Sequence, residues 1–131
     1  MLDGFTVLIT DRNRHVRNFL RRELIAEGYQ VEVAVDGRDL SRKISKAPTV
    51  DLLILDLEIP HLGGASGLRR IQREHPKLPV IIHTFATEES NHPAVRSATA
   101  FVEKAGNAEL LKRVIEHVLE KSKPLGLTRR S

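Results

Sequence analysis

Short apolar runs alternate with amphipathic stretches from one end of this chain to the other, and that alternation limits the folds open to it more than any other feature. Residues 5–10 (FTVLIT) are β-branched and apolar and predict a buried strand. Residues 29–35, 51–55 (DLLIL), 79–84 (PVIIHT) and 99–103 repeat the pattern. In the first gap, Val16, Phe19, Leu20 and Leu24 recur at helical spacing, with Asn13 placed to cap the start and Gly28 to end the helix. Asp36-Gly37 leads into a weaker helix carrying Leu40 and Ile44 and stopped by Pro48. A Pro-Gly loop, residues 60–64, precedes a helix with Leu68 and Ile71 that ends before Pro76. Between residues 88 and 98, Pro93 permits only a short helix starting near the proline. Asn107 is placed to cap a last helix with Leu111, Val114, Ile115 and Val118 on one face.

Strands alternating with helices imply a parallel sheet covered on both faces. For 131 residues the expectation is one α/β domain, a flavodoxin-like (βα)5 three-layer sandwich with strand order 2-1-3-4-5. Residues 1–121 are assigned to that domain, and the basic, Pro/Gly-punctuated residues 122–131 to a tail or linker stub. Aromatics are only 4% of the chain, so aliphatic side chains must fill the core. Without cysteine, disulfides, thiolate metal sites and cysteine nucleophiles are excluded. The apolar runs are too short to cross a bilayer, and no basic segment followed by an apolar stretch opens the chain. The expected location is the cytoplasm, with no membrane partner. A net charge of +4 admits nucleic acid, but no stacking aromatics accompany the basic residues, so the charge is read as a solubility feature.

In the expected topology, chemistry gathers at the carboxyl ends of the strands, where strand 1 meets strand 3. Strand 1 runs into Asp11, strand 3 into Asp56, strand 4 into Thr84 and strand 5 toward Lys104. Two carboxylates, a hydroxyl and an ammonium on one sheet edge suit a transferred phosphoryl group. A carboxylate can attack phosphorus, a cation offsets the accumulating charge, and the hydroxyl and ammonium bind phosphoryl oxygens. A single such residue is weak evidence, because strand ends are often polar; four at successive strand ends weigh more.

The same segments resemble the receiver domain of two-component response regulators, over about residues 6–119. VLITDRNRHVRNFL (7–20) is similar to that family's first strand, acidic site and first helix. LLILDLEIPHLGG (52–64) is similar to its acceptor strand and following loop, with Asp56 at the acceptor position and Pro60 and Gly64 at the expected offsets. PVIIHT carries the switch hydroxyl at Thr84, and FVEK (101–104) carries the aromatic switch position at Phe101 and the lysine at Lys104. The resemblance implies phosphorylation of Asp56 by a histidine kinase or phosphotransfer protein, with Mg²⁺ as cofactor. Thr84 and Phe101 would then reposition the face formed by helix 4, strand 5 and helix 5. It also implies a downstream protein target or fused output domain, and homodimers as one assembly. Self-catalysed phosphotransfer and dephosphorylation would be the limit of its catalysis.

Three departures stand against that pattern. The family's paired acids are here Asp11-Arg12. Mg²⁺ takes oxygen ligands, and arginine offers none. Either Arg12 faces solvent, leaving Asp11, Asp56, the Glu58 backbone carbonyl and water to hold a weak metal, or its guanidinium pairs with Asp56 in place of the cation. Lys104 is followed by Ala105-Gly106 instead of the family's proline, which removes the usual reason for a cis bond. The segment between Thr84 and Phe101 is short, so the output surface is expected to differ from the family's.

Plainer readings stand beside these. Phe101 is read equally as core packing and as a switch. His83 is expected to be a structural histidine with its hydrogen bonds satisfied. Arg14, Arg17 and Arg21 form a basic stripe, read first as a solvated face and second as a docking surface for a kinase helix. Glu58, two residues after Asp56, imitates the acid pair of aspartate-based phosphatases, but those enzymes place it after their first strand. A nucleotide-binding enzyme would need a glycine-rich loop after strand 1, where residues 11–15 have no glycine. A pseudo-receiver, which keeps the fold and binds partners without phosphorylation, is the main alternative, and Arg12 is its best support.

Overall fold

In the computed structural model each apolar run is a strand: β1 (Thr6–Thr10), β2 (Gln30–Ala34), β3 (Leu52–Leu55), β4 (Val80–Thr84) and β5 (Ala100–Glu103). The helices between them are α1 (Arg14–Ala26), α2 (Gly37–Ile44), α3 (Gly64–Glu74) and α4 (Pro93–Arg96), and α5 (Glu109–Ser122) follows the last strand. A 3-10 turn over Glu88–Asn91 precedes α4. The structure describes residues 4–46, 50–85, 88–104 and 108–122. The expected stop at Pro48, the Ala105-Gly106 loop and the Asn107 cap lie outside the described residues.

All strand pairs are parallel and the order is β2-β1-β3-β4-β5, as the alternation predicts. Because successive side chains point to opposite faces, each central strand serves two cores. Val7, Ile9, Leu52, Ile54 and Ile81 pack with Leu20 and Leu24 of α1 and Leu111, Ile115 and Leu119 of α5. Leu8, Leu53, Leu55, Val80 and Ile82 pack with Leu40 of α2, Leu68 and Ile71 of α3, and Ala94 and Val95 of α4. Burying a leucine or isoleucine contributes about 1.5–3 kcal/mol, so the three central strands hold the sandwich together.

Local chemistry sets the element ends. Asn13 Oδ1 accepts the backbone N–H groups of His15 and Val16 at 2.8 and 3.3 Å, fixing the start of α1 as expected. Helix α4 begins at Pro93, also as expected, and its N-cap is the His92 ring, whose Nδ1 accepts from the Ala94 N–H at 3.0 Å. The final helix runs through Ser122, into the segment assigned to the tail. Buried Val118 and Leu119 hold its last turn, and the Ser122 hydroxyl donates to the Val118 carbonyl at 2.9 Å.

The loop after β3 is tied down from two sides. The Gly37 N–H donates to the Pro60 carbonyl at 2.7 Å, and a Cβ at Gly37 would lie 2.2 Å from the His61 carbonyl oxygen, so only glycine lets α2 approach this closely. On the other side, the Glu89 carboxylate in the 3-10 turn accepts the Ala65 N–H at 2.7 Å. The N-cap position, Gly63, has no side chain to cap α3, so Glu89 does so from 24 residues away.

Candidate functional site

The sheet delivers Asp11, Asp56, Thr84 and Lys104 to one edge. Asp11 and Asp56 follow β1 and β3, Thr84 ends β4, and Lys104 follows β5. The last rungs of the ladder set their heights: the Asp56 N–H donates to the Thr10 carbonyl at 3.2 Å, and the Lys104 N–H to the Thr84 carbonyl at 3.1 Å. The edge therefore assembles from strand register, without help from long loops.

Asp56 is fully buried. Its Oδ1 accepts the Glu58 backbone N–H and the Thr84 hydroxyl, both at 3.0 Å. Its Oδ2 accepts the Lys104 ammonium at 3.2 Å and a long contact from the Arg12 backbone N–H at 3.5 Å. Burial pushes this carboxyl up, but the Glu58 N–H, the Lys104 charge and hydrogen bond, and the Thr84 hydroxyl outweigh it and hold it below the usual carboxylate range. Asp56 is thus an oriented, buried anion.

Asp11 is buried beside it, and its Oδ1 accepts the Asn13 N–H at 2.8 Å. Its Oδ2 lies 2.9 Å from the Lys104 ammonium but outside hydrogen-bonding geometry, and it has no hydrogen-bond donor. One ammonium therefore faces two buried carboxylates. A buried oxygen without a donor beside a site short of positive charge fits an oxygen-seeking cation. The carboxylate oxygens that meet at this edge are those of Asp11 and Asp56; among the described residues no cluster of three acidic or histidine side chains could hold a metal ion.

Arg12 follows neither expected course in full. Its guanidinium does not pair with Asp56; it pairs with the Glu58 carboxylate at 3.0 Å, and the two side chains are 47% and 40% exposed. The reason is local. The Arg12 backbone faces Asp56, which sends its side chain outward to meet Glu58 on the neighbouring loop. Arg17, expected in the solvated stripe, instead donates to the Asp11 carbonyl at 2.7 Å.

Phe101 is not a core residue. It is 37% exposed on the edge strand β5, whose Val102 takes the inward position. With Val95, Arg96, Ala98 and Ala100 it lines a shallow cavity of about 310 Å³. His83 is buried as expected, but its Nδ1 has no hydrogen-bond partner, so it is not satisfied. Burial, then the Lys104 charge, pushes its pKa down, so the ring is neutral near pH 7. Sequence reasoning missed Phe85, an exposed ring directly after Thr84 whose centroid lies 5.4 Å from the Lys104 ammonium. A roomier cleft of about 530 Å³, lined by Val50, His75 and Pro79 among others, opens by the amino ends of β3 and β4, away from the carboxylates. Among the described residues no helix is long and apolar enough to cross a membrane.

Comparison with known proteins gives one answer. The family model described as the response regulator receiver domain matches residues 7–116. Response regulator MprA of Mycobacterium leprae (strain TN) is 32% identical over 120 residues, covering 90% of this chain and 52% of that protein. The chain thus spans about half the length of such relatives. Among solved structures, response regulator protein TrrA of Thermotoga maritima in complex with Mg²⁺-BeF superposes with a TM-score of 0.79 at 25% identity, covering 87% of this chain and 98% of that one. The complex of histidine kinase ThkA with TrrA gives 0.79 at 26% identity, covering 88% and 99%.

Proposed function

The chain belongs to the response regulator receiver domain family, and from that premise we propose that it accepts a phosphoryl group on Asp56 from a phosphohistidine of a histidine kinase or phosphotransfer protein. The observation that carries this reading is the Asp56 carboxylate itself, buried, ionised and oriented by Glu58 N–H, Thr84 and Lys104. A carboxylate oxygen of Asp56 attacks phosphorus, the phosphorus–nitrogen bond of the donor breaks, and its electron pair leaves with the imidazole. The product is an acyl phosphate, and attack of water on it returns phosphate and free Asp56. Thr84 and Lys104 already touch the two Asp56 oxygens, and on this reading they bind phosphoryl oxygens as the group arrives. Asp11, Asp56 and the Glu58 carbonyl would hold Mg²⁺, which supplies positive charge against the phosphoryl oxygens. With one acid of the family pair replaced by Arg12, we expect weak binding of that ion.

Phe101 is proposed as the switch residue that answers Thr84, since it lies exposed on β5, whose register pairs Thr84 with Glu103. The partners proposed are a cytoplasmic kinase or phosphotransfer protein upstream and a protein target or fused output domain downstream. TrrA's complex with a histidine kinase supports the first. A homodimer remains within this reading; nucleic acid is not proposed as a partner. Self-catalysed phosphotransfer and hydrolysis are the only catalysis proposed.

A second reading, the pseudo-receiver, has its own support. Arg12 stands where the family carries its second acid, offers a metal no oxygen, and turns to Glu58 at 3.0 Å. Intact-protein mass after incubation with a small acyl phosphate, with and without Mg²⁺, separates the two. An adduct on wild type and none on Asp56→Asn is the expected result; no adduct on either would favour the pseudo-receiver.

A further inference from the structure

Arg12 and Glu58 are both rooted at the acceptor. The Arg12 backbone N–H approaches Asp56 Oδ2 at 3.5 Å, and the Glu58 N–H donates to Asp56 Oδ1 at 3.0 Å. Their side chains then meet each other at 3.0 Å, half exposed, outside a carboxylate that is itself fully buried. The ion pair thus spans the mouth of the site from the loop after β1 to the loop after β3.

We propose that Arg12 is a phosphoryl-binding residue, held on Glu58 in the free protein and transferred to the phosphoryl oxygens when Asp56 is modified. The inference rests on the phosphoacceptor reading. Charge is the first argument. Phosphorylation replaces the single negative charge of Asp56 with a group of nearly two, in a site where one ammonium already serves two carboxylates. The site needs a further cation. Lys104 is engaged by Asp11 and Asp56, and Arg17 is bound to the Asp11 carbonyl at 2.7 Å. Arg12 is held by a solvent-screened partner, and exposed ion pairs of this kind are readily exchanged. Geometry is the second argument. A guanidinium presents a planar fork of donors that matches two oxygens of a tetrahedral phosphoryl group, a better match than a lysine ammonium offers. Where the family pattern has a metal-binding acid, this arginine binds the anion directly.

The test uses the whole chain and a small acyl phosphate, with adduct formation followed by intact mass in wild type, Arg12→Gln, Arg12→Lys, Glu58→Gln and Asp56→Asn at several Mg²⁺ concentrations. Circular dichroism checks that each variant is folded. In parallel, the Arg12 Nε–H resonance is followed by NMR on adding beryllofluoride, a phosphoryl mimic. We expect Arg12→Gln to label about tenfold more slowly or worse, Arg12→Lys to fall between it and wild type, and Glu58→Gln, which releases Arg12, to label faster than wild type. The Arg12 resonance should move in wild type and stay in Asp56→Asn. An Arg12→Gln protein that labels at the wild-type rate overturns this inference while leaving the acceptor intact. So does slower labelling with an unmoved resonance, which would mean that Arg12 acts only by holding Glu58. No adduct on wild type overturns the acceptor reading, and this inference with it.

Discussion

Replacing Lys104 with methionine should cost the fold more than any surface change, and the cost should depend on pH in a defined direction. The ammonium lies 2.9 Å from Asp11 and 3.2 Å from Asp56, and its side chain is only 9% exposed. At an effective dielectric of about 20, each contact is worth about 5–6 kcal/mol of Coulomb attraction. Much of that is offset by the desolvation of the lysine, which the variant no longer bears. Breaking buried pairs by removing one partner costs about 3–5 kcal/mol, because the remaining charge is left uncompensated. We therefore expect Lys104→Met to lose about 3–5 kcal/mol at pH 7, read as a drop of about 2 M in the urea midpoint. In the wild type, Asp56 is held below its ordinary value, so its contribution to stability is present above the unfolded pKa and lost as pH falls through the folded one. Without Lys104, burial, the largest influence on Asp56, loses much of its opposition and pushes the carboxyl upward. The penalty should then shrink as pH falls into the acid range, where Asp56 of the variant takes up its proton. Adding Asp56→Asn to Lys104→Met should recover part of the loss even at pH 7. Urea melts at pH 7 and at acid pH on the two variants provide the check. A loss below about 1 kcal/mol, or one of equal size at both pH values, would refute the idea that this lysine compensates buried anions.

Three further outcomes follow from the same geometry. Gly37→Ala forces a Cβ to within 2.2 Å of the His61 carbonyl oxygen, so it should cost about 1–3 kcal/mol in chemical denaturation and slow labelling of Asp56 by displacing the loop that carries Glu58. Glu89→Ala removes the acceptor of the Ala65 N–H and should cost about 0.5–2 kcal/mol, visible as a lower melting temperature. His83 should titrate below the ordinary histidine value in an NMR pH series. Because its folded pKa is depressed, the stability it contributes is present above the unfolded value of 6.5 and lost as pH falls through the folded one; a normal or raised value would contradict its burial.

The site was legible in the sequence wherever strand register alone determines position. Asp11, Asp56, Thr84 and Lys104 occupy strand ends, and once the order 2-1-3-4-5 holds, neighbouring rungs leave them no other place to go. What escaped prediction depends on partners distant in sequence or on which way a side chain turns. The pairing of Arg12 depends on Glu58, which lies on a different loop. The exposure of Phe101 depends on β5 being an edge strand flanked by a helix of only four residues. The unpaired Nδ1 of His83 depends on the packing around it, which a run such as PVIIHT does not disclose. The contact of Phe85 with the Lys104 ammonium, 5.4 Å from its ring, depends on a residue on the neighbouring strand's end, which the sequence around Phe85 does not disclose.

The borrowed cap on α3 bears on the order in which this chain folds. The first turn of that helix has no side chain of its own at the N-cap, and its acceptor comes from a 3-10 turn reached only after β4 has been laid down. Closing a 24-residue separation costs chain entropy that no local contact repays. The Glu89 contact should therefore be absent from the folding transition state and form late. Removing it should leave the folding rate nearly unchanged and speed unfolding, so that Glu89 governs how long a folded molecule lasts more than how quickly one is made.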